Sequence, residues 1–239
     1  MQTTIKPPFF EIGPKAYLWG EEALTLALAA EAASNEFDVD VIFTPQLSDI
    51  HLIAEHTKRL IICAQKIDPI PVGRGQGSVL VEAVKAAGAR AVMLNHAECP
   101  CTLSQLRAGI LRAREAGLIS VICADSIAEA SAAACLDPDV IVAEPTELIG
   151  SGIASDEQYV EVSTLAVKRI NPDILVLQGA GISGPEDVYR VILAGADATG
   201  SSSAVCKASD RTKMAREMIQ AARRAYDDRV NQAVSKTSY

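Results

Sequence analysis

Aromatic residues are scarce in this chain, 4% of 239 residues with a single tryptophan, and histidine occurs only three times. No apolar run approaches the roughly 20 residues that cross a bilayer. The opening residues, MQTTIKPPFF, contain no apolar stretch of signal-peptide length. Basic residues are not in excess either. With 22 Lys and Arg against 30 Asp and Glu, the net charge is −8. That balance excludes the electrostatic footprint of a nucleic-acid binder and favours solubility. These absences predict a cytoplasmic protein with neither nucleic acid nor membrane as a partner.

The six cysteines do not form a metal pattern. Cys63 and Cys123 lie in apolar runs, and Cys135 and Cys206 lie among small residues, where reduced cysteine acts as a small hydrophobe. Cys99 and Cys101 are the one close pair, and no second pair or suitably spaced histidine completes a zinc set. Neither a metal nor a cofactor is expected.

What the chain does have is aliphatic residues in alternating patterns. Short apolar runs occur at 9–13, 39–45, 60–65, 91–95, 120–125, 140–145, 174–180 and, more weakly, at 196–202 in ADATGSS. Between them lie segments with apolar residues at three- and four-residue spacing, such as EEALTLALAAEAAS and TLSQLRAGILRAREAG. Gly88, Gly117 and Gly195 stand where helices should stop. Strict alternation of strand and helix implies a parallel sheet. Eight such units predict the α/β class and a single-domain (β/α)8 (TIM) barrel over residues 1–239. An open doubly wound sheet would usually carry a glycine fingerprint after its first strand, and GPKAY does not supply one. The polar tail from about residue 228 is expected to fray.

In such barrels chemistry gathers at the C-terminal ends of the strands. This rule collects Lys15 after strand 1, His96 and Glu98 after strand 4, and Glu144 at the end of strand 6. His51 and His56 fall on a helix and read as surface or packing residues. Loops 7 and 8, GAGISGPED and GSSSAV, are rich in glycine and serine, so their N–H groups can converge on a phosphate. The competing reading is that Gly179, Gly181 and Gly184 only make tight turns. Glu144 can serve as a general base if burial raises its pKa, or can be a carboxylate paired with a neighbouring cation. Gly150 and Gly152 are hinge candidates for a lid. A base, a histidine and an ammonium beside a phosphate site suit proton removal next to a carbonyl, with the resulting enediolate stabilised at its oxygen. Aldose and ketose then interconvert. Lys15 lies in a loop rather than within a strand, which argues against a Schiff-base role.

The motifs QKIDP, GxGxxxxEAVKAAGA, LNHAE, AEPTELIGSG and GAGIS, in this order, resemble the triosephosphate isomerase family in its short archaeal form, across about residues 9–208. The resemblance implies Lys15 as the electrostatic lysine, His96 as the electrophile and Glu144 as the base, with Glu98 supporting the histidine. It implies phosphate contacts from the flexible loop at Ile149, Gly150, Ser151 and Gly152, and from Gly179, Ala180, Gly181, Ser183, Ser202 and Ser203. A homo-oligomer, dimer or tetramer, is implied as well. Three positions depart from the family. Gly13 replaces an asparagine, Gln76 replaces a threonine that reaches into the neighbouring subunit, and Ala204 replaces a glycine. Loss of the asparagine side chain is expected to enlarge the pocket, so a four-carbon sugar phosphate stands as an alternative substrate. A catalytically silent sugar-phosphate binder is the alternative of another class. A pentulose-phosphate epimerase is disfavoured because this rim lacks paired aspartates.

Overall fold

The computed structural model describes residues 4–145, 148 and 154–237. Eight parallel strands close into a barrel in chain order: β1 (Phe9–Ile12), β2 (Asp40–Phe43), β3 (Ile61–Ala64), β4 (Ala91–Leu94), β5 (Ile119–Ala124), β6 (Val140–Ala143), β7 (Leu175–Gln178) and β8 (Ala198–Ser201). The last strand returns to the first, with Phe9 opposite Ala198 and Ile12 opposite Ser201. Around them run α1 (Gly20–Phe37), α2 (Ile50–His56), α3 (Val81–Ala86), α4 (Leu103–Ala116), α5 (Ile127–Ala134), α6 (Glu157–Ile170), α7 (Pro185–Leu193), α8 (Ser203–Cys206) and α9 (Arg211–Thr237). The α/β barrel read from the alternation is therefore the fold observed.

Side chains alternate across a strand, and here both faces are buried, which is why the runs read as continuously apolar. Phe9, Ile42, Cys63, Val121, Val140, Val142 and Leu177 point inward and fill the barrel as one cluster. Phe10, Ile12, Val41, Phe43, Ile122, Ile141 and Val176 point outward, against helix residues such as Leu26, Ile53, Ile110, Val188 and Ile219. Each such fully buried aliphatic side chain stabilises the fold by about 1.5–3 kcal/mol.

The weak eighth run forms a strand because tertiary pairing overrides its low propensity. It is hydrogen-bonded on both sides, to β7 and to β1, and its four residues are buried. Its Thr199 hydroxyl donates to the carbonyl of Gln178 at 2.6 Å. Helix boundaries follow local chemistry. Thr102 and Gln105 form a capping box at the start of α4, and Gly117 ends that helix in the left-handed region at φ 70°.

The polar C-terminus departs from expectation, because α9 continues to Thr237. Buried Met218, Ile219, Ala222 and Ala225 dock this helix. Polar tethers then carry it beyond the apolar stretch. Arg229 donates to the carbonyls of Ile192 and Ala196, each at 2.7 Å, and Tyr189 donates to Asp228 at 2.8 Å. Among the described residues, no helix is long and apolar enough to cross a membrane.

Candidate active site

A cavity of about 790 Å³ opens at the C-terminal ends of the strands. Lys15, His96, Glu98 and Glu144 all line it, together with Gly13, Gly179, Gly181, Ser183, Ser202, Ser203 and Ala204.

Glu144 continues the inward alternation of Val140 and Val142, so strand pleating delivers its carboxylate to the barrel mouth. Its N–H donates to the carbonyl of Ala124 at 2.9 Å, which prolongs the β5–β6 ladder. The side chain is only 14% exposed. Burial is the main cause of a raised pKa; nearby Lys15 opposes the rise and Glu98 adds to it.

His96 faces this carboxylate, with Nε2 3.7 Å from Oε2. Asn95 turns the chain just before it, in the left-handed region at φ 60°. The Asn95 amide donates to the carbonyl of Cys123 at 3.0 Å and accepts the Cys101 N–H at 3.2 Å, stapling the loop to β5. The backbone N–H of Glu98 donates to Nδ1 of His96 at 3.0 Å. Nδ1 is then an acceptor, which assigns the proton to Nε2 and makes the ring neutral. Burial above all, with Lys15 second, lowers the His96 pKa and favours the same neutral form.

Lys15 sits at φ 48°, a region that costs a non-glycine residue about 1–2 kcal/mol. Its carbonyl accepts from the side-chain amides of Gln46 at 2.6 Å and Gln65 at 3.3 Å, and these bonds hold the turn. The ammonium reaches Glu98 at 3.0 Å. One acid thus steers the lysine with its side chain and the histidine with its backbone.

The phosphate candidates divide. Gly179, Gly181, Ser202 and Ser203 line the cavity, whereas Ala180 is buried and does not. Ser183 lines it, but its N–H and its hydroxyl both donate to Asp187, at 2.9 and 2.6 Å. The Ser202 hydroxyl donates to the carbonyl of Gly13 at 2.6 Å. Ile149, Gly150, Ser151 and Gly152 lie outside the described residues. Gln76 stands in the exposed stretch 71–78 and does not line the cavity of its own chain.

The space expected to open beside Gly13 is filled. A Cβ on Gly13 would lie 2.9 Å from Oε1 of Glu11. The Glu11 carboxyl accepts the Thr44 hydroxyl at 2.6 Å, and burial above all pushes its pKa up to about 7. Glu11, Thr44, Gln46, Gln65 and Lys207 all line the cavity and escaped the reading of the sequence. A signal was present for the first of these. Glu11 is the acid within the run FFEIG, in the same alternation as inward-facing Phe9 and Gly13.

A family model described as triosephosphate isomerase matches residues 14–221. The chain is 40% identical to the triosephosphate isomerase of Methanothermus fervidus over 203 residues, covering 84% of this chain and 91% of the relative. It is 36% identical to that of Sulfurisphaera tokodaii over 227 residues, covering 93% and 99%. This chain belongs to the triosephosphate isomerase family. It is accordingly an enzyme of the isomerase class, one that interconverts an aldose and a ketose. In fold, it matches a crystal structure of triosephosphate isomerase from Bartonella henselae with a TM-score of 0.76 at 15% identity, over 92% of this chain and all of that one. None of these matches favours the four-carbon alternative.

Proposed function

We propose that the protein interconverts dihydroxyacetone phosphate and glyceraldehyde 3-phosphate, with Glu144, His96 and Lys15 carrying the chemistry. The observation that carries this reading is the neutral imidazole, held by the Glu98 N–H, presenting Nε2–H beside a buried carboxylate. The Glu144 carboxylate removes a proton from the carbon next to the carbonyl. The C–H electron pair becomes the C=C bond, and the carbonyl pair moves onto oxygen. Nε2–H of His96 and the ammonium of Lys15 stabilise that oxygen. The acid form of Glu144 returns the proton to the adjacent carbon, while His96 carries the hydroxyl proton between the two oxygens. Only protons move, so the scheme calls for no cofactor.

The N–H groups of Ser203 and Ala204 are suited to the phosphate, since the first N–H groups of a helix have no partner within it, and Gly181 can add its own from the loop after β7. Ala204 lines the cavity, and its side chain does not remove that donor. The flexible-loop residues Ile149 to Gly152 belong to the same reading, as contacts to the phosphate. In this reading the protein works in the cytoplasm as a homo-oligomer. Exposed Trp19 and Val72, at 69% and 71%, support the latter, since they lie in the loops after β1 and β3, the second of which also carries Gln76.

The test is turnover and solvent deuterium exchange with both triose phosphates, in the wild type and Glu144→Gln. Turnover that falls by about 10²–10⁴-fold in the variant supports the assignment. A wild type that binds triose phosphate but neither turns it over nor exchanges its protons would make this a binding protein instead.

A further inference from the structure

The carboxyl of Glu11 has no part in the scheme above, yet it lies on the floor of the same cavity. Two glycines make room for it. A Cβ on Gly13 would meet Oε1 at 2.9 Å, and one on Gly200 would meet Oε2 at 3.0 Å and the Glu11 carbonyl at 2.9 Å. Side chains at those two positions would exclude this one. Among the described residues Thr44 alone hydrogen-bonds the carboxyl, and it does so at Oε1, which leaves Oε2 over Gly200 for a ligand. Charged and titratable groups surround it. Lys15 and Glu144 act on it, and it acts in turn on the thiols of Cys63, Cys123 and Cys206.

We propose that Glu11 is a second substrate-contacting acid of the site beside Glu144, donating its O–H from Oε2 to an oxygen of the bound sugar phosphate and, once ionised, opposing that anionic ligand. With the Thr44 hydroxyl donating to Oε1, the carboxyl proton falls to Oε2, the oxygen beside Gly200, which lines the same cavity. A protonated carboxyl both donates and accepts, so it matches a hydroxyl or carbonyl oxygen. A carboxylate in the same place has no hydrogen to donate and adds a second negative charge near Glu144. The pKa of about 7 puts both forms within reach of neutral pH. A bound anion favours the protonated form, so ligand binding and proton uptake at Glu11 are coupled.

The proposal rests on the isomerase reading for its substrate, and its test separates the two. Wild type, Glu11→Gln and Glu11→Ala are compared from pH 6 to 8.5 in two assays. One is KM and kcat for dihydroxyacetone phosphate; the other is Kd for glycerol 3-phosphate, an unreactive probe. The glutamine keeps a donor and an acceptor but cannot ionise. At pH 6 it should match the wild type within about threefold, while alanine weakens KM and Kd about tenfold. At pH 8.5 the wild type should bind about tenfold more weakly than Glu11→Gln, with kcat little changed. If Glu11→Gln follows the wild type at every pH, the carboxyl only fills space and the proposal fails, whether or not the alanine variant folds. Absence of turnover in the wild type would overturn the isomerase reading. The probe affinities would still decide the role of Glu11.

Discussion

The backbone N–H of Glu98 donates to Nδ1 of His96 at 3.0 Å, so a residue with an exposed side chain fixes the protonation of a buried one. Nitrogen-15 NMR of the imidazole should show the proton on Nε2. The ring should stay neutral as pH falls through about 6.5, where an ordinary histidine is half protonated, since burial lowers its pKa. A ring that titrates at or above that value would rule out the neutral electrophile.

Burial of Glu144 also predicts how stability depends on pH. Its folded pKa is raised above the unfolded value. Its contribution is therefore full below the unfolded pKa, near 4.3, and is lost as pH rises through the folded one. Glu144→Gln removes that loss. Thermal unfolding should show the variant no more stable than the wild type at pH 4 and more stable at pH 8. For the base proposed here, activity has the opposite sign, because a proton acceptor must be ionised. The acid limb of kcat/KM should lie above the range of an ordinary glutamate.

The Lys15–Glu98 pair predicts a small effect. With Glu98 62% exposed, the ion pair is worth about 1 kcal/mol or less. Glu98→Gln keeps the backbone N–H on His96, so kcat should change little. Its charge also raises the Glu144 pKa, so the acid limb should move to lower pH. A loss of kcat as large as that of Glu144→Gln would contradict this division of labour.

Gly179→Ala should disturb the base. Its Cβ would lie 2.9 Å from Cγ1 of Val142 and 3.3 Å from Cδ of Glu144. Overpacking of this kind costs about 1–3 kcal/mol, and displacement of the carboxylate proposed as the base should lower kcat by about tenfold or more. Gly184→Ala serves as the control, because nothing lies within 4 Å of its added Cβ and its backbone is extended. Equal kcat losses in the two variants would overturn the steric argument.

Thiol titration should separate the cysteines. Cys99 and Cys135 are exposed, whereas Cys63 and Cys123 are buried with pKa values raised chiefly by desolvation. A disulfide reagent should modify the first two quickly and the buried pair only on unfolding. Cys99 lines the cavity, so a saturating sugar phosphate should protect it and leave Cys135 reactive. Protection of Cys135 instead would place the ligand elsewhere.

Much of the fold was legible because its signals are local. Strand and helix periods depend on neighbours within a few residues, and all eight runs became strands. The inward alternation of Val140, Val142 and Glu144 can be read from five residues of chain. The helix through the tail was not legible, because Arg229 and Asp228 look like a solvated surface until α7 lies beside them. Glu11 was passed over because one acid in an apolar run says nothing of what surrounds it.

The amino-acid order alone determined the alternating barrel and the rim positions of Lys15, His96 and Glu144, since each follows from periodicity and from the direction of a parallel strand. Only the tertiary structure decided that Gly13 leaves no void. The answer depends on Glu11 and Gly13 meeting Thr44 and Gly200, distant in the chain, when β1 pairs with β2 on one side and β8 closes against it on the other. Packing complementarity of that kind is a property of closure, and no local pattern encodes it.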